Sequence, residues 1–508
     1  MTLVGLDVGT TGCKAVVFDP EGNILGQGFK EYGILCDEPG MAEQDAEQVW
    51  QITCGVLKKA LTESAAKDIC ALSLSVQGDA IIPVNKHFQP VYPAILGMDY
   101  RSIEQARRCD DFFGARQIFE LTGMRSHPIN SVVKMLWLKE KRPEAYRKTW
   151  KIMTYADFIL GKLGAAPVID YTMASRTMAF DLQQRQWSHQ ILERLDIAPD
   201  LLSEAQPSGS VVGKVSAAAA ELTGLPQGVF LVTGGHDQTC AALGAGVISE
   251  GKAVVSTGTA EVLSTTFQAP ALNEAMYAGF YPCYLHAKEG MYFTFTLNHV
   301  GGILLRWYRD QFAAVEVQEA EQKGSDPYLC ILSKVPQKPS HVMVLPHLNG
   351  SGTPWCDMES KGAIVGLTLA TTRHEIARAI LESQTYELKI NLATLEQAGV
   401  RVEELSAVGG GAKSALWLQV KADILGRPIQ TLKTREAACL GAAILAGAAV
   451  GVYQSVDEGV AYTVRPQTIF TPDPGRQADY QELYETYTQI YPALRPINAR
   501  LDSTMHDH

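Results

Sequence analysis

Residues 3–18 read LVGLDVGTTGCKAVVF, and this stretch decides the fold class. The mostly apolar run LVGLDV ends at the turn GTTG, and a second mostly apolar run, KAVVF, follows shortly after it. The turn DPEGN at residues 19–23 then leads to the apolar pair Ile24 and Leu25. Short apolar runs separated by Gly, Pro and Asp turns predict a strand, a tight turn, a second strand, a turn and a third strand.

Helical and strand patterns alternate beyond this opening. We predict a helix from about residue 45 to residue 63 and a buried strand over Ile69–Val76, followed by further alternation. A last helix is predicted from about residue 479 to residue 494. Strands that alternate with helices are typical of an α/β fold.

The run of residues 250–265 repeats the opening in outline, with a strand, the turn Thr257-Gly258-Thr259 and a second strand. This faint similarity predicts that the two halves of the chain are structural duplicates. Because 508 residues are too many for one compact core, we expect two domains, residues 1–245 and residues 246–508.

Composition narrows the class of protein. Charged residues make up 19% of the chain, hydrophobic residues 46%, and the net charge is −11, which argues against a nucleic-acid or anionic-membrane partner. The start of the sequence reaches Asp7 without a basic region, so it predicts no signal peptide. Ten scattered cysteines without a CxxC pair predict neither a zinc site nor disulfides, and therefore a cytoplasmic location.

The first turn contains groups that suit a bound phosphate. Thr10 and Thr11 supply hydroxyls, and the flanking glycines let backbone N–H groups approach an anion. Asp7 ends the preceding strand and is a candidate Mg²⁺ ligand, directly or through water, while Lys14 could reach a phosphate. The alternative is an ordinary hairpin. The chain has no GxxxxGK[ST] segment, so a P-loop is not the explanation.

Two further glycine turns strengthen the nucleotide hypothesis. The second Gly/Thr turn could clamp a polyphosphate from the side opposite the first. The run GGGAKS at residues 409–414 follows an apolar strand and opens a helix, and its glycines permit close backbone approach to a large ligand. Its alternative is a loop that needs unusual dihedral angles. The candidate ATP-binding residues are Thr10, Thr11, Lys14, Thr257, Gly258, Thr259, Gly410, Gly411, Ala412 and Ser414.

Asp237 is the candidate general base. It lies in the segment VTGGHDQ, after an apolar strand and a Gly-Gly pair. Phosphoryl transfer to an alcohol requires a group that accepts the hydroxyl proton, and a carboxylate at this place would serve. The alternative is a helix-capping residue, and we expect the neighbouring His236 to be structural.

Several segments together resemble the FGGY carbohydrate kinases, and within them the xylulokinases and their relatives. The match runs over nearly the whole chain. Lys134 and Trp137 are similar to the Lys-x-x-Trp helix of the family, and residues 362–382 are similar to its second signature in residue type and spacing. The other resemblances are those of residues 7–11 and 256–259 to the phosphate loops, of residues 409–414 to the adenosine loop, and of Asp237 to the catalytic Asp.

The resemblance implies a fold and an activity. Two ribonuclease-H-like domains, of the actin and hexokinase ATPase type, should flank a central catalytic cleft, with sugar on the N-terminal side and ATP with Mg²⁺ mainly on the C-terminal side. The implied reaction transfers the γ-phosphate of ATP to a hydroxyl of a small molecule. The expected partners are therefore a sugar or polyol and ATP, with a homodimer as the assembly and neither nucleic acid nor a membrane.

The sugar pocket departs from the xylulokinase pattern. Gln77-Gly78-Asp79-Ala80 stands where xylulokinases carry Gln-Met-His-Gly, and Gln238 replaces the usual Asn after the base. Of the first four, Gln77, Gly78 and Asp79 are taken as candidate contacts. Together with Asp237 and Gln238, they are the candidate substrate contacts. The expected substrate is a small ketose or a sugar alcohol, with a xylulose-like pentulose as the default and a glycerol- or erythritol-type polyol as the alternative.

Two readings from other classes stay open. An actin-like or chaperone-like ATPase would share both phosphate turns, but it would lack the signature that ends at Glu382. A catalytically silent sugar-binding protein would bind without turnover, and the presence of Asp7 and Asp237 argues against it.

Overall fold

The computed structural model describes residues 1–506, which form two large mixed sheets covered by helices. The strands up to residue 236 are β1 Thr2–Val8, β2 Gly12–Phe18, β3 Ile24–Glu31, β4 Glu43–Gln44, β5 Ile69–Val76, β6 Ile82–Val84, β7 Ala94–Ile95, β8 Lys151–Met153, β9 Val168–Asp170, β10 Phe180–Asp181, β11 Gln186–Trp187, β12 Glu204–Gln206, β13 Val211–Lys214 and β14 Phe230–His236. The later strands are β15 Gly251–Thr257, β16 Glu261–Phe267, β17 Tyr284–Leu285, β18 Tyr292–Asn298, β19 Met343–Leu345, β20 Ala363–Val365, β21 Val402–Gly409, β22 Ile429–Leu432 and β23 Pro466–Phe470.

The helices also fall into two groups, one in each half of the chain. Those of the first half are α1 Ala46–Ser64, α2 Ile103–Phe113, α3 Ala115–Thr122, α4 Ser131–Lys141, α5 Pro143–Lys148, α6 Tyr155–Leu163, α7 Tyr171–Arg176, α8 His189–Arg194, α9 Ala217–Thr223 and α10 Asp237–Gly244. Those of the second half are α11 Glu274–Ala278, α12 Gly302–Phe312, α13 Ala314–Lys323, α14 Pro327–Ser333, α15 Arg373–Gln397, α16 Ala415–Leu425, α17 Ala437–Ala449, α18 Val456–Thr463, α19 Pro474–Tyr487 and α20 Ile490–His506. Short 3₁₀ helices cover Pro199–Leu201 and Gly410–Lys413.

The two sheets share a six-stranded topology, to which the second sheet adds the edge strand β17, and the predicted α/β fold with two ribonuclease-H-like domains is confirmed. The first sheet has the order β13-β14-β5-β1-β2-β3, and the second has the order β17-β18-β16-β15-β21-β22-β23. Each begins with an antiparallel meander, β1-β2-β3 or β15-β16-β18, adds two parallel strands on the other side of its first strand, and ends there on an antiparallel strand, β13 or β23. Strand β1 reads as a nearly continuous apolar run because it is central and buried on both faces.

Helix α17 of the second half packs against helix α10 and strand β1 of the first half. This contact depends on glycine: a Cβ added to Gly441 would lie 1.9 Å from the carbonyl oxygen of Cys240, and one added to Gly244 would lie 1.9 Å from that of Ala437. The small residues of α17 therefore permit backbone-to-backbone approach between the halves. The predicted division after residue 245 lies between α10 and β15, and it stays a prediction.

The predicted terminal helix of residues 479–494 is wrong in one respect. The structure has two helices there, α19 and α20, separated by residues 488 and 489. Pro492 explains the break, because it has no N–H to donate and its ring would clash with the carbonyl one turn earlier. In the first turn of α20 the missing donor costs little.

Candidate active site

Three carboxylates lie at or just beyond the carboxyl ends of neighbouring parallel strands in the first sheet. In the register of the sheet, Asp7 of β1 pairs with Ser75 of β5, and Ser75 pairs with Gly235 of β14. Asp79 comes shortly after β5, and Asp237 comes directly after β14 as the first residue of α10. Since ligands of α/β sheets bind outside the carboxyl ends of the strands, these side chains outline one candidate site.

Asp237 is poised to take up a proton near neutral pH. Its side chain is 34% exposed, and its Oδ1 lies 3.1 Å from Nε2 of the buried His236. Withdrawal from solvent and the negative charge of Asp7 raise the pKa of Asp237 to about 7, against the opposing influence of Arg176. A carboxylate with this pKa suits general base catalysis, which is most effective when the pKa lies close to the working pH.

Asp7 is held in place by its neighbouring strand. The hydroxyl of Ser75 donates to Oδ1 of Asp7 at 2.7 Å. Burial raises the pKa of Asp7, while this hydrogen bond and the charge of Lys14 oppose the rise. Between residues 1 and 506 no cluster of three metal-ligating side chains occurs. Mg²⁺ at a phosphoryl-transfer site needs only one or two carboxylates besides phosphates and water, so a partly buried Asp7 fits the ion.

Asp79 forms a buried ion pair with Arg176, a residue of α7 that sequence reasoning missed. Asp79 has a φ of +66°, a left-handed conformation that Asp tolerates better than most residues. Oδ1 of Asp79 and Nε of Arg176 are both buried and have no hydrogen-bond partner among the described residues. The only local signal for Arg176 was a long basic side chain at the end of the otherwise uncharged helix YTMASR.

The other predicted substrate residues surround this pair. Gln77 is buried, and its amide donates to the carbonyl of Gly9 and to Gln44, both at 3.2 Å, so it braces the predicted first phosphate turn, residues 9–12. Gly78 lies against the His236 ring, where an added Cβ would approach Nε2 to 2.7 Å. Gln238 is partly exposed beside Asp237 in the first turn of α10.

The signature lysine supports the loop that carries Asp79. Nζ of Lys134 donates to the carbonyl oxygen of Asp79 at 3.2 Å and to that of Ile129, and Ser131 also donates to the Asp79 carbonyl. Burial lowers the pKa of Lys134 to about 8, although Asp79 and Asp99 favour its charged form. The lysine therefore fixes the backbone below the candidate sugar pocket.

The predicted first phosphate turn is anchored through its backbone. The carbonyl of Thr10 accepts from Gln44 at 2.6 Å, and the carbonyl of Thr11 accepts from the backbone of Tyr32 at 3.0 Å. Lys14 forms an ion pair of 2.8 Å with Glu436, which precedes α17 in the second half. If Lys14 contacts a phosphate as predicted, its amine must either leave Glu436 or bind Glu436 and the phosphate together.

The predicted second phosphate turn, residues 257–259, is anchored by the start of α12 and by a buried ion pair. Gly301 and Gly302 donate to the carbonyls of Thr259 and Gly258, each at 2.7 Å. The hydroxyl of Thr257 donates to Glu261 at 3.2 Å, and Glu261 forms a fully buried ion pair with Lys421. This pair holds the turn at the same edge of the second sheet as the third glycine turn.

The third glycine turn borders a cavity of about 520 Å³, a size that suits a small-molecule or cofactor site. Gly410 and Ala412 line the cavity, and Thr434 and Phe470 lie among its other walls. Gly411 packs on Thr257, so close that an added Cβ would lie 2.6 Å from the Thr257 Cβ. The predicted phosphate and adenosine segments of the second half are thereby brought together. Ser414 caps α16, because its hydroxyl accepts from the Trp417 N–H at 3.2 Å.

Comparison with known protein families decides the class. Residues 2–244 match the N-terminal domain, and residues 253–450 the C-terminal domain, of the FGGY family of carbohydrate kinases. This chain belongs to the FGGY family. It is therefore a phosphotransferase with an alcohol group as acceptor, and its substrates are ATP and a carbohydrate.

Individual relatives cover nearly the whole chain at modest identity. Xylulose kinase of Bacillus subtilis is 28% identical over 503 residues, which cover 99% of both chains. Gluconokinase of the same organism is 29% identical and covers 90% of this chain and 89% of its own. The ligand-bound xylulose kinase structure from Lactobacillus acidophilus superposes with a TM-score of 0.89 at 26% identity, over 98% of this chain and 99% of that one.

None of the helices within residues 1–506 has the length and apolar character of a membrane span.

Proposed function

We propose that this FGGY kinase transfers the γ-phosphate of ATP to a hydroxyl of a small, uncharged ketose or sugar alcohol, with a pentulose as the default. The observation that carries the proposal is the position of Asp237, whose pKa is raised to about 7 at the strand ends that also bear Asp7 and Asp79. In this proposal Asp237 accepts the proton of the attacking hydroxyl, which leaves the oxygen free to attack the γ-phosphorus.

The Asp79–Arg176 pair supports an uncharged substrate. Sugar hydroxyls can both donate, as Oδ1 of Asp79 requires, and accept, as Nε of Arg176 requires, and these are the two buried atoms of the pair that lack a partner. A sugar carboxylate cannot donate, and beside Asp79 it would add a second negative charge. A gluconate-type acid would therefore have to keep its carboxylate away from this pair.

The nucleotide is assigned to the second half of the chain. In the proposal, adenosine lies in the cavity beside Gly410 and Ala412, and its phosphates lie between the turns that carry Thr10 and Thr257. Asp7 would hold Mg²⁺, which neutralises phosphate charge when bound. Closure of the two halves would exclude water, the competing acceptor of the phosphoryl group.

One screen tests the proposal. ATP consumption is measured in a coupled assay against ketoses, aldoses, sugar alcohols and sugar acids, each with and without Mg²⁺. Turnover that depends on an uncharged ketose or polyol supports the proposal, and turnover only on sugar acids contradicts it. Sugar-independent ATPase activity would favour the actin-like or chaperone-like reading, and sugar binding without turnover would favour a silent binding protein.

The homodimer stays a prediction, which light scattering of the purified protein can check.

A further inference from the structure

Tyr284 belongs to the second half of the chain but is buried against the candidate base of the first half. It lies on β17, and the segment before it packs on the first half through the backbone bond from Cys283 to Gly123, 2.9 Å long. Its hydroxyl lies 3.0 Å from Nδ1 of His236, and its ring lies 5.3 Å from the Arg176 guanidinium carbon. Both Tyr284 and His236 are at most 4% exposed.

The roles of the His236 nitrogens follow from the charges around them. Burial, and then the nearby Arg176, keep the pKa of His236 well below its usual value, so the ring is neutral and carries one proton. Burial likewise holds the pKa of Tyr284 well above its usual value, so its hydroxyl stays protonated and can donate. When Tyr284 donates to Nδ1, the ring proton lies on Nε2, the nitrogen that is 3.1 Å from Oδ1 of Asp237.

The backbone of His236 is already fixed by other contacts. Its N–H donates to the hydroxyl of Thr172 at 2.7 Å, and its carbonyl accepts from the hydroxyl of Thr239 at 2.8 Å. These backbone contacts do not use the ring nitrogens, so the ring can have a separate role. Oδ1 of Asp237 has no aligned hydrogen bond among the described residues, and Nε2 of His236 can supply one after a small rotation of either side chain.

We propose that Tyr284 and His236 are positioning residues for Asp237: Tyr284 fixes the tautomer of His236, and the Nε2–H of His236 holds Oδ1 so that Oδ2 faces the substrate hydroxyl. The inference rests on the proposed function, because it assigns Asp237 the role of base. It adds that a residue from the second half sets the orientation of the base in the first. Neither residue touches the reacting atoms in this scheme, so their loss should lower kcat more than it changes KM.

The other charged and titratable groups around Asp237 come from three elements and one loop. They are Asp7 on β1, Asp79 after β5, Arg176 on α7 and Cys240 on α10. Asp7 and Asp79 raise the pKa of Asp237, and Arg176 lowers it. None of these groups is changed by substitutions at positions 236 or 284, so a shift of the pH profile in those variants reports on the His236 contact itself.

The test begins with the wild-type enzyme on the best sugar from the screen. If that enzyme shows no sugar-dependent turnover, the proposed function fails, and the inference fails with it because Asp237 is then no base to position. With turnover established, Tyr284→Phe removes only the hydroxyl. We expect its kcat to fall about 3–10-fold, as for the loss of one hydrogen bond, with KM for sugar and ATP changed less than about 2-fold. Tyr281→Phe is the matched control, since that buried hydroxyl on the same segment donates to Asn391 instead.

Two substitutions of His236 separate positioning from packing. His236→Gln places an amide N–H near the position of Nε2, whereas His236→Asn places one near Nδ1 and leaves Asp237 without its donor. We expect His236→Gln to retain several-fold more kcat than His236→Asn, and the acid limb of kcat/KM to move to higher pH only in His236→Asn, because the ionised carboxylate loses a donor. Equal activity and equal pH profiles in these two variants, or a Tyr284→Phe enzyme that matches Tyr281→Phe, would overturn the inference.

Discussion

Asp79 and Arg176 form a buried ion pair in which each partner keeps one polar atom without a hydrogen bond among the described residues. Removing one partner of such a pair is costly because the other charge stays buried. An ion pair that keeps one unpartnered acceptor and one unpartnered donor suits a ligand that both donates and accepts hydrogen bonds, as a sugar hydroxyl does.

The substitution Asp79→Asn should therefore change substrate preference. The left-handed φ of Asp79 makes Asn the suitable replacement, because Ala would add backbone strain of about 1 kcal/mol. We expect kcat/KM to fall about 10-fold or more for sugars that carry the recognised hydroxyl, since a mismatched buried contact costs about 1–3 kcal/mol. A panel of epimers and deoxy sugars measures this, with KM for ATP as the internal control. A uniform loss over the whole panel would return Asp79 to a structural role.

Asp237→Asn should abolish most turnover. Loss of a positioned general base lowers the rate by about 10²–10⁴-fold, while the nucleotide cavity of the second half is untouched. Steady-state kcat and the affinity for a nonhydrolysable ATP analogue measure the two effects. Asp196→Asn is the control, because that side chain is 94% exposed. A variant that retains more than about a tenth of wild-type kcat would exclude Asp237 as the base.

The pH dependence of kcat/KM should show an acid limb near the pKa of Asp237, which is raised to about 7. The base accepts a proton only when ionised, so activity falls as the pH drops through that pKa. Because the negative charge of Asp7 raises this pKa, Asp7→Asn should move the limb to lower pH even though it slows turnover. A limb that stays in place in Asp7→Asn would show that the two carboxylates do not interact.

Asp7→Ala should raise the Mg²⁺ concentration needed for half-maximal activity and lower kcat. The reason is that a divalent ion neutralises charge in the transition state, so loss of its ligand acts mainly on catalysis. Mg²⁺ titrations at saturating ATP measure the effect. Ser73→Ala is the control, because Ser73 lies in register with Gly5 rather than Asp7. Unchanged Mg²⁺ titrations and kcat would leave Asp7 as a strand-end residue.

Two glycine substitutions should affect stability in opposite directions. Gly441→Ala would place its Cβ 1.9 Å from the Cys240 carbonyl oxygen, and such overpacking costs about 1–3 kcal/mol or more. Gly55→Ala, in the interior of α1, has open space around its Cβ, and it should stabilise the protein by about 0.5–1 kcal/mol through helix propensity. Denaturant unfolding measures both. A stable Gly441→Ala variant would show that α10 and α17 can separate without loss.

The sequence by itself determined the local elements of this protein. The apolar runs and Gly/Thr turns predicted β1, β2 and β5, and the prediction of α1 agrees with the structure to within a residue at each end. These features depend on neighbours a few residues apart, so periodicity and turn chemistry are sufficient to find them. The candidate base Asp237 was predicted from its place after an apolar strand together with the family resemblance, because the local pattern alone also fits a helix cap.

Only the tertiary structure decided which groups meet at the candidate site and between the two halves. Arg176 and Asp79 are 97 residues apart in the sequence, Tyr284 and His236 are 48 apart, and Lys14 and Glu436 are 422 apart. No local pattern indicates such pairs, because each side chain also suits a solvated surface, and folding alone decides whether its charge is buried or its hydroxyl has a partner. The sequence therefore located the candidate base, whereas the tertiary structure identified the residues that surround it.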